Sequence, residues 1–567
     1  MRTTLTTLHS KYIHASLALP YLAAYCAADC TAIEIREFTV HEPKINVLAA
    51  LLATEPDVVA FSVYLWNRRE TLELVAALHA VRPTVRIVLG GPEVSFDGPA
   101  LFAQHPGISA LVRGEGELPL RALLSAWARG VEPDDLSRLT VRRDGAVVVG
   151  PDAPPLADLD TLPSPFTAGL VDAQRGLVYY ETSRGCPYRC AFCMSALDTG
   201  VRSFSRARIE SDLGWLLARR VPVIKVVDRT FNYNAVRARE ILAFIVQHHR
   251  ASRIHLEIGA QLLDEETLTL LENAPAGIFQ FEIGVQTILP ETLATVGRTL
   301  SAASLETVVR RLRRTNNIPL HLDLLAGLPG ETEHDVLAAV DRMLALHPHH
   351  LQLEPVKLLP GSPLRDRAAA LGLVYDPHPP YTVLTTPTLS FAALERLRDV
   401  SRILDLTWND GSLIRFLNGL AVLRGSLAAA LAALADDWRG HDYFRQPVAR
   451  RGVFERIWRF IREHFRGDDF ARLRDLLARD LACSERIVPG KAPELFDDAL
   501  GEEETRAAQK LVRKEVDAVR GQGVKVMHFA ARFSHLPDQL EPVVVVFFYL
   551  TRSGAGMTVK EVVVGSE

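Results

Sequence analysis

The chain has 567 residues, too many for one ordinary hydrophobic core, so several domains are expected. Its 64 basic and 68 acidic side chains leave a formal charge of −4, which gives no electrostatic reason to expect nucleic-acid or membrane binding. No window offers the ~20 uninterrupted apolar residues of a membrane helix. The start, MRTTLTTLHSKYIHASLALPYLAAYC, lacks the charged opening, long apolar run and cleavage site of a signal peptide, and a cytoplasmic protein is expected.

In chain order, Thr3–Leu8 reads as a strand, Ala15–Tyr25 as an apolar-faced helix, Ala32–Phe38 as a strand and Asn46–Ala53 as a helix. Three nearly continuous apolar runs follow, Val58–Leu65, Arg86–Gly91 and Ala110–Glu117, with helical segments between them. Short apolar strands separated by helices predict a parallel sheet covered on both faces. Residues 1–135 are therefore expected to form a five-stranded, doubly wound, Rossmann-like α/β domain. Residues 136–175 break the rhythm: VRRDGAVVVG predicts a small hairpin and PDAPPLADLDTLPSPF an ordered connector.

Alternation resumes over 176–380. Candidate strands are Leu177–Ser183, Val223–Asp228, His255–Ala260, Ile278–Gln286, Leu320–Gly327 and Leu351–Leu359, separated by helical segments. Six such units predict a partial (β/α)6 TIM-like barrel, with its chemistry at the C-terminal ends of the strands. Residues 381–567 are expected to be mainly helical to Arg479 and to end in a strand pair, VVVVFFYLTRS and GMTVKEVVVG. The basic helix faces there are interspersed with Asp and Glu and read as solvated, salt-paired surfaces.

Of six cysteines, three lie within eight positions, in Gly185-Cys186-Pro187-Tyr188-Arg189-Cys190-Ala191-Phe192-Cys193. Cys26, Cys30 and Cys483 read as inert small side chains. Three thiolates on a short loop can hold three corners of an iron–sulfur cubane, leaving the fourth iron open, since no fourth cysteine is near. Zinc is the main rival, but it would want a further His or Cys that the loop does not contain.

C-x3-C-x-aromatic-C directly after a first barrel strand resembles the signature loop of the radical S-adenosylmethionine (radical SAM) superfamily, and the resemblance runs from about Leu177 to Leu359. VVDRTFN at Val226–Asn232 resembles the end of the second strand in cobalamin-associated members, with Arg229 in place of a second acid. EIGVQT, LLAGLPGET and PVKLLPGSPL resemble the fourth-, fifth- and sixth-strand elements, in order. The resemblance implies a [4Fe–4S] cluster on Cys186, Cys190 and Cys193, and S-adenosylmethionine chelated by the open iron. It further implies cofactor contacts from Phe192, Asp228, Glu282, Gln286, Gly327 and Pro329. For Asp228 and Glu282 the alternative is surface salt pairing.

The N-terminal domain resembles the cobalamin-binding domain of the same subgroup through AFSVYLWN, GGPEVSF and RGEGE, each at or after a strand end. That resemblance implies corrinoid contacts from Ser62, Tyr64, Gly90, Gly91, Glu93, Gly114 and Gly116. No histidine stands in an Asp-x-His-x-x-Gly context, so a cobalt ligand from that motif is not expected; His14 and Tyr12 follow strand one and could face the ligand. The C-terminal part resembles the uncharacterised extension of some cobalamin-type members and is expected to cap the barrel mouth, with Trp408, Asn409, Asp410 and Trp458 as candidate pocket or core residues. The implied activity is reductive cleavage of S-adenosylmethionine, with methyl transfer to an unactivated carbon favoured. The substrate would be a small molecule or peptide, and the electron donor a flavodoxin or ferredoxin. The alternatives are cobalamin-independent radical chemistry, such as methylthiolation or rearrangement, and a non-catalytic iron–sulfur scaffold or electron-transfer protein.

Overall fold

Val58 and Val59 are sequence neighbours that enter different cores. Val58 packs with Ala60, Val88 and Leu124, and Val59 with Phe61, Ile87 and Leu78. A strand whose successive residues are all buried must have both faces covered. The strand is one of ten elements that open the chain: β1 (Arg2–His9), α1 (Ala18–Cys26), β2 (Ala32–Thr39), α2 (Lys44–Leu52), β3 (Val58–Ser62), α3 (Arg68–Val81), β4 (Arg86–Gly90), α4 (Pro99–Gln104), β5 (Ile108–Val112) and α5 (Glu117–Ala128). The structure, a computed structural model, describes residues 1–28, 32–197, 200–536, 541–552, 554 and 556–565. Cys30 and the last residue of the predicted strand at Val543–Ser553 lie outside the described residues.

The five strands run parallel in the order β2-β1-β3-β4-β5. The predicted hairpin forms as β6 (Leu139–Arg143) and β7 (Ala146–Val149), and Asp144 and Gly145 between them both have positive φ, as a tight hairpin turn requires. The sequence placed this hairpin in the connector. It docks instead on the exposed edge of β5, pairing Val112 with Leu139 in antiparallel register, and extends the sheet to seven strands. The apolar runs also end earlier than predicted. β3 stops at Ser62 and β5 at Val112, which frees 63–65 and 113–116 as loops on the C-terminal edge.

The next elements are β8 (Leu177–Tyr180), β9 (Ser183–Arg184), β10 (Arg202–Ser203), α6 (Arg206–Ala218), β11 (Val223–Val226), α7 (Ala235–His248), β12 (Arg253–Ile258), α8 (Glu265–Glu272), β13 (Phe279–Gln286), α9 (Pro290–Thr295), α10 (Ala302–Thr315), β14 (Leu320–Ala326), α11 (Glu333–Leu344), β15 (His350–Pro355), α12 (Pro363–Asp366), β16 (Val374–Tyr375) and β17 (Val383–Thr385). All six predicted barrel strands form. β8 and β11–β14 pair in parallel in chain order. Each alternates buried with half-buried positions, and in β12–β14 most of the half-buried ones are polar, as in Leu320-His321-Leu322-Asp323.

The chain divides into two units, Met1–Glu331 with Pro355–Ser390 and Thr332–Glu354 with Phe391–Glu567. The second contains α11, β15 to Glu354, and a helical run: α13 (Phe391–Leu404), a π-helical turn at Asp405–Asn409, α14 (Ile414–Arg424), α15 (Leu427–Gly440), α16 (Arg450–His464), α17 (Gly467–Ser484) and α18 (Glu502–Ala518). It ends in an antiparallel sheet of three strands, β18 (Val524–Phe533), β19 (Val543–Arg552) and β20 (Thr558–Val563), where the sequence predicted two. Trp408 is buried and donates its Nε1–H to the Pro348 carbonyl, and Trp458 packs on Phe470, so both tryptophans serve packing. Asn409 and Asp410 line a cavity of about 400 Å3 with His350, Gln352, Glu354 and Asp405. Among the described residues no single helix is long and apolar enough to cross a membrane; α14 and α15 meet that measure only as a pair bent by 98°.

Candidate cofactor site at the cysteine loop

The three clustered cysteines lie on the loop between β9 and β10, which pair antiparallel and fasten its two ends. Gly185 opens the loop at φ +94°, and a Cβ there would meet the Gly200 carbonyl oxygen at 2.1 Å, so only glycine fits. Ala191 N–H donates to Val296 O and Leu364 N–H to Ala191 O, each at 2.8 Å, which ties the middle of the loop to the segment after α9 and to the first turn of α12.

Each thiol has a polar neighbour. Cys186 Sγ is 3.5 Å from Thr230 Oγ1, Cys193 Sγ accepts from Ser195 N–H at 3.4 Å, and Cys190 Sγ accepts from Arg298 Nη1 at 3.4 Å. Burial pushes the Cys190 thiol pKa up, Arg298 pulls it down, and neighbouring Cys193 and Cys186 push it up again. The second guanidinium nitrogen of Arg298 donates to Gly284 O on β13, and the Arg298 guanidinium also faces the Tyr188 ring. A loop of unpaired, partly buried thiols with donors aimed at sulfur fits a thiolate-held metal cluster.

The polar residues expected around this loop divide into two sets. Asp228 is 1% exposed, which removes the surface salt-pairing alternative for it. Its carboxylate accepts the backbone N–H of Thr182 at 2.6 Å and of Ser183 at 3.2 Å, and both hydroxyls as well. Burial pushes its pKa up against these hydrogen bonds. Asp228 therefore pins the turn from β8 into β9. Glu282 points into the barrel lumen, where it accepts from His255 Nε2 at 2.8 Å and faces Lys225 Nζ at 3.4 Å. Burial opposes its ionisation, but His255 and Lys225 outweigh it and hold the pKa at about 2. Gln286 sits at φ +70° beside a register shift in β13, its amide folded over Gly284. Gly327 is at φ +97°, Pro329 O accepts from Thr292 Oγ1 at 3.1 Å, and Phe192 is half-buried on the loop.

Sequence reasoning missed the rest of the lumen: Lys225, His255, Glu257, His321 and Asp323, all on the same face as Glu282. The signal was present in VIKVV, RIHLEI and LHLDLL, where polar residues alternate with the apolar ones that pack outward. It also missed Arg298, on a loop with no pattern of its own.

On the N-terminal sheet, Gly91 is at φ +106°, and a Cβ there would meet Val63 O at 2.5 Å. Tyr64 stacks on Trp66 with ring centroids 4.6 Å apart, and Tyr12, Ile13, Trp66 and Phe96 are exposed beyond the C-terminal ends of β1, β3 and β4. Large apolar side chains gathered at the ligand-binding edge of a doubly wound sheet suit a flat macrocycle such as a corrin. A cavity of about 660 Å3 opens there between Phe96 and Asp97 and the Pro360–Gly361 turn of the barrel. Two expected corrinoid contacts are less accessible: Ser62 is buried, and Glu93 is buried and takes the Tyr381 hydroxyl, whereas Gly90 is half-buried at the end of β4. Gly114 and Gly116 alternate with Glu115 and Glu117, whose carboxylates bind Arg184 of β9 and Arg202 of β10. The sheet edge is thereby joined to the cysteine loop. His14 Nδ1 lies 2.7 Å from the Tyr179 hydroxyl and Tyr12 is solvent-exposed.

Elsewhere, Asp437, Glu463 and His464 bring possible metal-ligand atoms within 4.8 Å of one another, but Arg459 already binds Asp437 at 2.6 Å and supplies a cation.

Comparison with known proteins agrees with this layout. Residues 3–124 match the family described as the B12 binding domain, 180–343 the radical SAM superfamily, and 369–525 a family of unknown function, DUF4080. The cobalamin-dependent radical SAM methyltransferase TokK of Streptomyces tokunonensis is 30% identical over 55% of this chain and 48% of its own length. The 2-(S-pantetheinyl)-carbapenam-3-carboxylate methyltransferase of Streptantibioticus cattleyicolor is 28% identical over 56% of this chain and 50% of its own. The chain thus spans about half the length of these curated relatives. Among solved structures, the radical enzyme OxsB with aqua-cobalamin and S-adenosylmethionine bound aligns at TM-score 0.57 and 16% identity, covering 92% of this chain and 81% of OxsB. The methyltransferase TsrM from Kitasatospora setae, with cobalamin and a [4Fe-4S] cluster bound, aligns at 0.56 and 22% identity, covering 67% of this chain and 78% of TsrM. At these identities the likeness is one of fold.

Proposed function

We propose that this chain, which belongs to the radical SAM enzymes that carry a B12-binding domain, is a cobalamin-dependent methyltransferase acting on an unactivated carbon. The observation that carries the reading is the Gly185–Val201 loop: three thiols fastened between β9 and β10 at the end of the first barrel strand. Cys26 lies in the core behind the N-terminal sheet, and the loop itself carries no fourth cysteine. When bound, a [4Fe–4S] cluster with S-adenosylmethionine supplies a 5′-deoxyadenosyl radical, and cobalamin supplies the methyl group.

The chain's own part is to bind, orient and shield. Cys186, Cys190 and Cys193 are assigned as the cluster ligands, Arg298 as the donor that steadies Cys190, and Asp228 as the group that fixes the approach to the loop. Phe192, Gln286, Gly327 and Pro329 are assigned to the S-adenosylmethionine side, and Tyr64, Gly91, Gly114 and Gly116 to the corrinoid edge. The ion pairs from Arg184 and Arg202 to Glu115 and Glu117 keep these two regions together. The reading includes a cytoplasmic setting and a flavodoxin or ferredoxin as the electron donor that reductive cleavage requires.

The test is anaerobic reconstitution with iron, sulfide and cobalamin, then incubation with S-adenosylmethionine and reductant. The expected result is 5′-deoxyadenosine that disappears in Cys190→Ala, with stoichiometric corrinoid retained. A cluster spectrum without cleavage would favour a scaffold, and cleavage without retained corrinoid would favour cobalamin-independent radical chemistry.

A further inference from the structure

The lumen of the barrel is charged where such lumens are ordinarily filled by branched apolar side chains. Register places Lys225 of β11 beside His255 of β12, Glu257 of β12 beside Glu282 of β13, and Glu282 beside His321 of β14, with Asp323 one step further along β14. Their apolar neighbours in sequence, such as Ile224, Leu256, Ile283 and Leu322, pack on the opposite face. Water reaches these polar side chains only in part, from 12% exposure at His255 to 32% at Glu257.

The charges within the lumen are unevenly matched. Glu282 is well served, by His255 at 2.8 Å and Lys225 at 3.4 Å. Glu257 faces the same ammonium at 3.9 Å, without a hydrogen bond, and feels Arg229 and His255 only through weaker, longer-range attraction. Asp323 Oδ1 is buried, 3.2 Å from His321 Nε2, and makes no hydrogen bond. One lysine therefore serves two glutamates, and a third carboxyl waits beside them. A half-buried carboxylate without a hydrogen-bonded cation is costly, and a cation that enters and donates to it lowers the cost. Burial and the facing Glu282 push both the Glu257 and Asp323 pKa values up, Asp323 to about 8, as expected of carboxyls short of cations. The lumen also adjoins the proposed radical source: Gly284, two residues beyond Glu282 on the same face of β13, is joined through Arg298 to Cys190.

We propose that this lumen is the substrate chamber and that it selects a polar substrate carrying a cationic nitrogen, an ammonium or guanidinium group, received by Glu257 and Asp323. This rests on the reading of the chain as a radical enzyme. A carboxylate or phosphate would face Glu257 and Glu282, and an apolar chain would strip water from all six side chains without replacing a hydrogen bond.

The probe is agmatine, which carries a guanidinium and an ammonium, with glutarate as the anionic control. Each is titrated into the reconstituted holoenzyme by calorimetry, and 5′-deoxyadenosine release is measured on the same samples. Agmatine is expected to bind, glutarate not to, and Glu257→Gln to weaken agmatine at least tenfold. Lys225→Met, which removes the competing ammonium, is expected to tighten it several-fold; this second variant keeps the idea open to refutation if Glu257→Gln does not fold. Absence of agmatine binding, preference for glutarate, or equal agmatine affinity in Lys225→Met and wild type would overturn the proposal. Continued 5′-deoxyadenosine release in those samples would leave the radical-enzyme reading standing, whereas its absence from every sample would remove that reading separately.

Discussion

Arg298 and Cys190 are 108 positions apart in sequence, yet the guanidinium donates to the Cys190 sulfur at 3.4 Å while its other arm grips the Gly284 carbonyl. The thiol is thereby tied to a barrel strand by a cation that cannot lose its proton. A hydrogen bond involving a charged group contributes about 1.5–3 kcal/mol, roughly a ten- to hundredfold effect in an equilibrium. Arg298→Met is expected to retain iron, because all three thiols remain, but to cut S-adenosylmethionine cleavage at least about tenfold. Iron content and 5′-deoxyadenosine yield on one preparation check this, and unchanged cleavage would remove the role given to Arg298.

Asp228 offers a second test. Its carboxylate takes two backbone N–H groups and two hydroxyls from Thr182 and Ser183 in a fully buried setting. Asp228→Ala strands those donors, each at a cost of about 1–3 kcal/mol, so a loss of about 3 kcal/mol or more is expected. Urea unfolding with the denaturant midpoint as readout measures it. The folded fraction should bind S-adenosylmethionine with unchanged affinity, which separates a pin from a ligand contact.

The Asp228 result shows where sequence reading stopped. VVDRTFN marks a strand end, but nothing in those letters says that the aspartate turns back onto Thr182, some 46 positions earlier. The parallel sheets were legible because runs such as VVAFS are apolar at every position, which only a doubly covered strand tolerates. The docking of β6 on β5 was not, because a hairpin is a local signal and its partner edge is not. β18 escaped because VKVMHFAARF keeps charged or polar residues on a half-exposed face, and α18 because only Ala508 of its seventeen residues is buried. The lumen charges could have been found from the alternation in RIHLEI and LHLDLL alone, had the polar face been assigned to the inside of the barrel.

Gly185 has the least freedom in the loop. Its φ of +94° and the Gly200 carbonyl 2.1 Å from a would-be Cβ leave no room for a side chain. Gly185→Ala must shift the backbone beside Cys186. The expected outcome is a marked loss of bound iron while the proposed corrinoid site, on a different sheet, keeps its ligand. Iron and corrinoid stoichiometries of the purified variant test this, and full iron loading would show that the loop tolerates more movement than its geometry allows.

In the second unit Asp480 gives a prediction about pH. It is 2% exposed, accepts Phe416 N–H at 2.8 Å, and lies 3.2 Å from Arg415. Burial outweighs these partners and pushes its pKa up to about 6. An unfolded aspartate titrates near 3.9, so between that value and 6 the folded chain holds a proton the unfolded chain has lost. Stability from this group is therefore greatest below about pH 4, declines as pH rises through 6, and is flat beyond, a difference of about 3 kcal/mol in all. Asp480→Asn cannot ionise and should lack that slope, while Arg415 keeps Glu561 at 3.0 Å as a partner. Urea midpoints of wild type and variant should differ more at pH 7.5 than at pH 4.5, in favour of the variant at the higher pH, and parallel curves would show that Asp480 titrates as an ordinary exposed carboxylate.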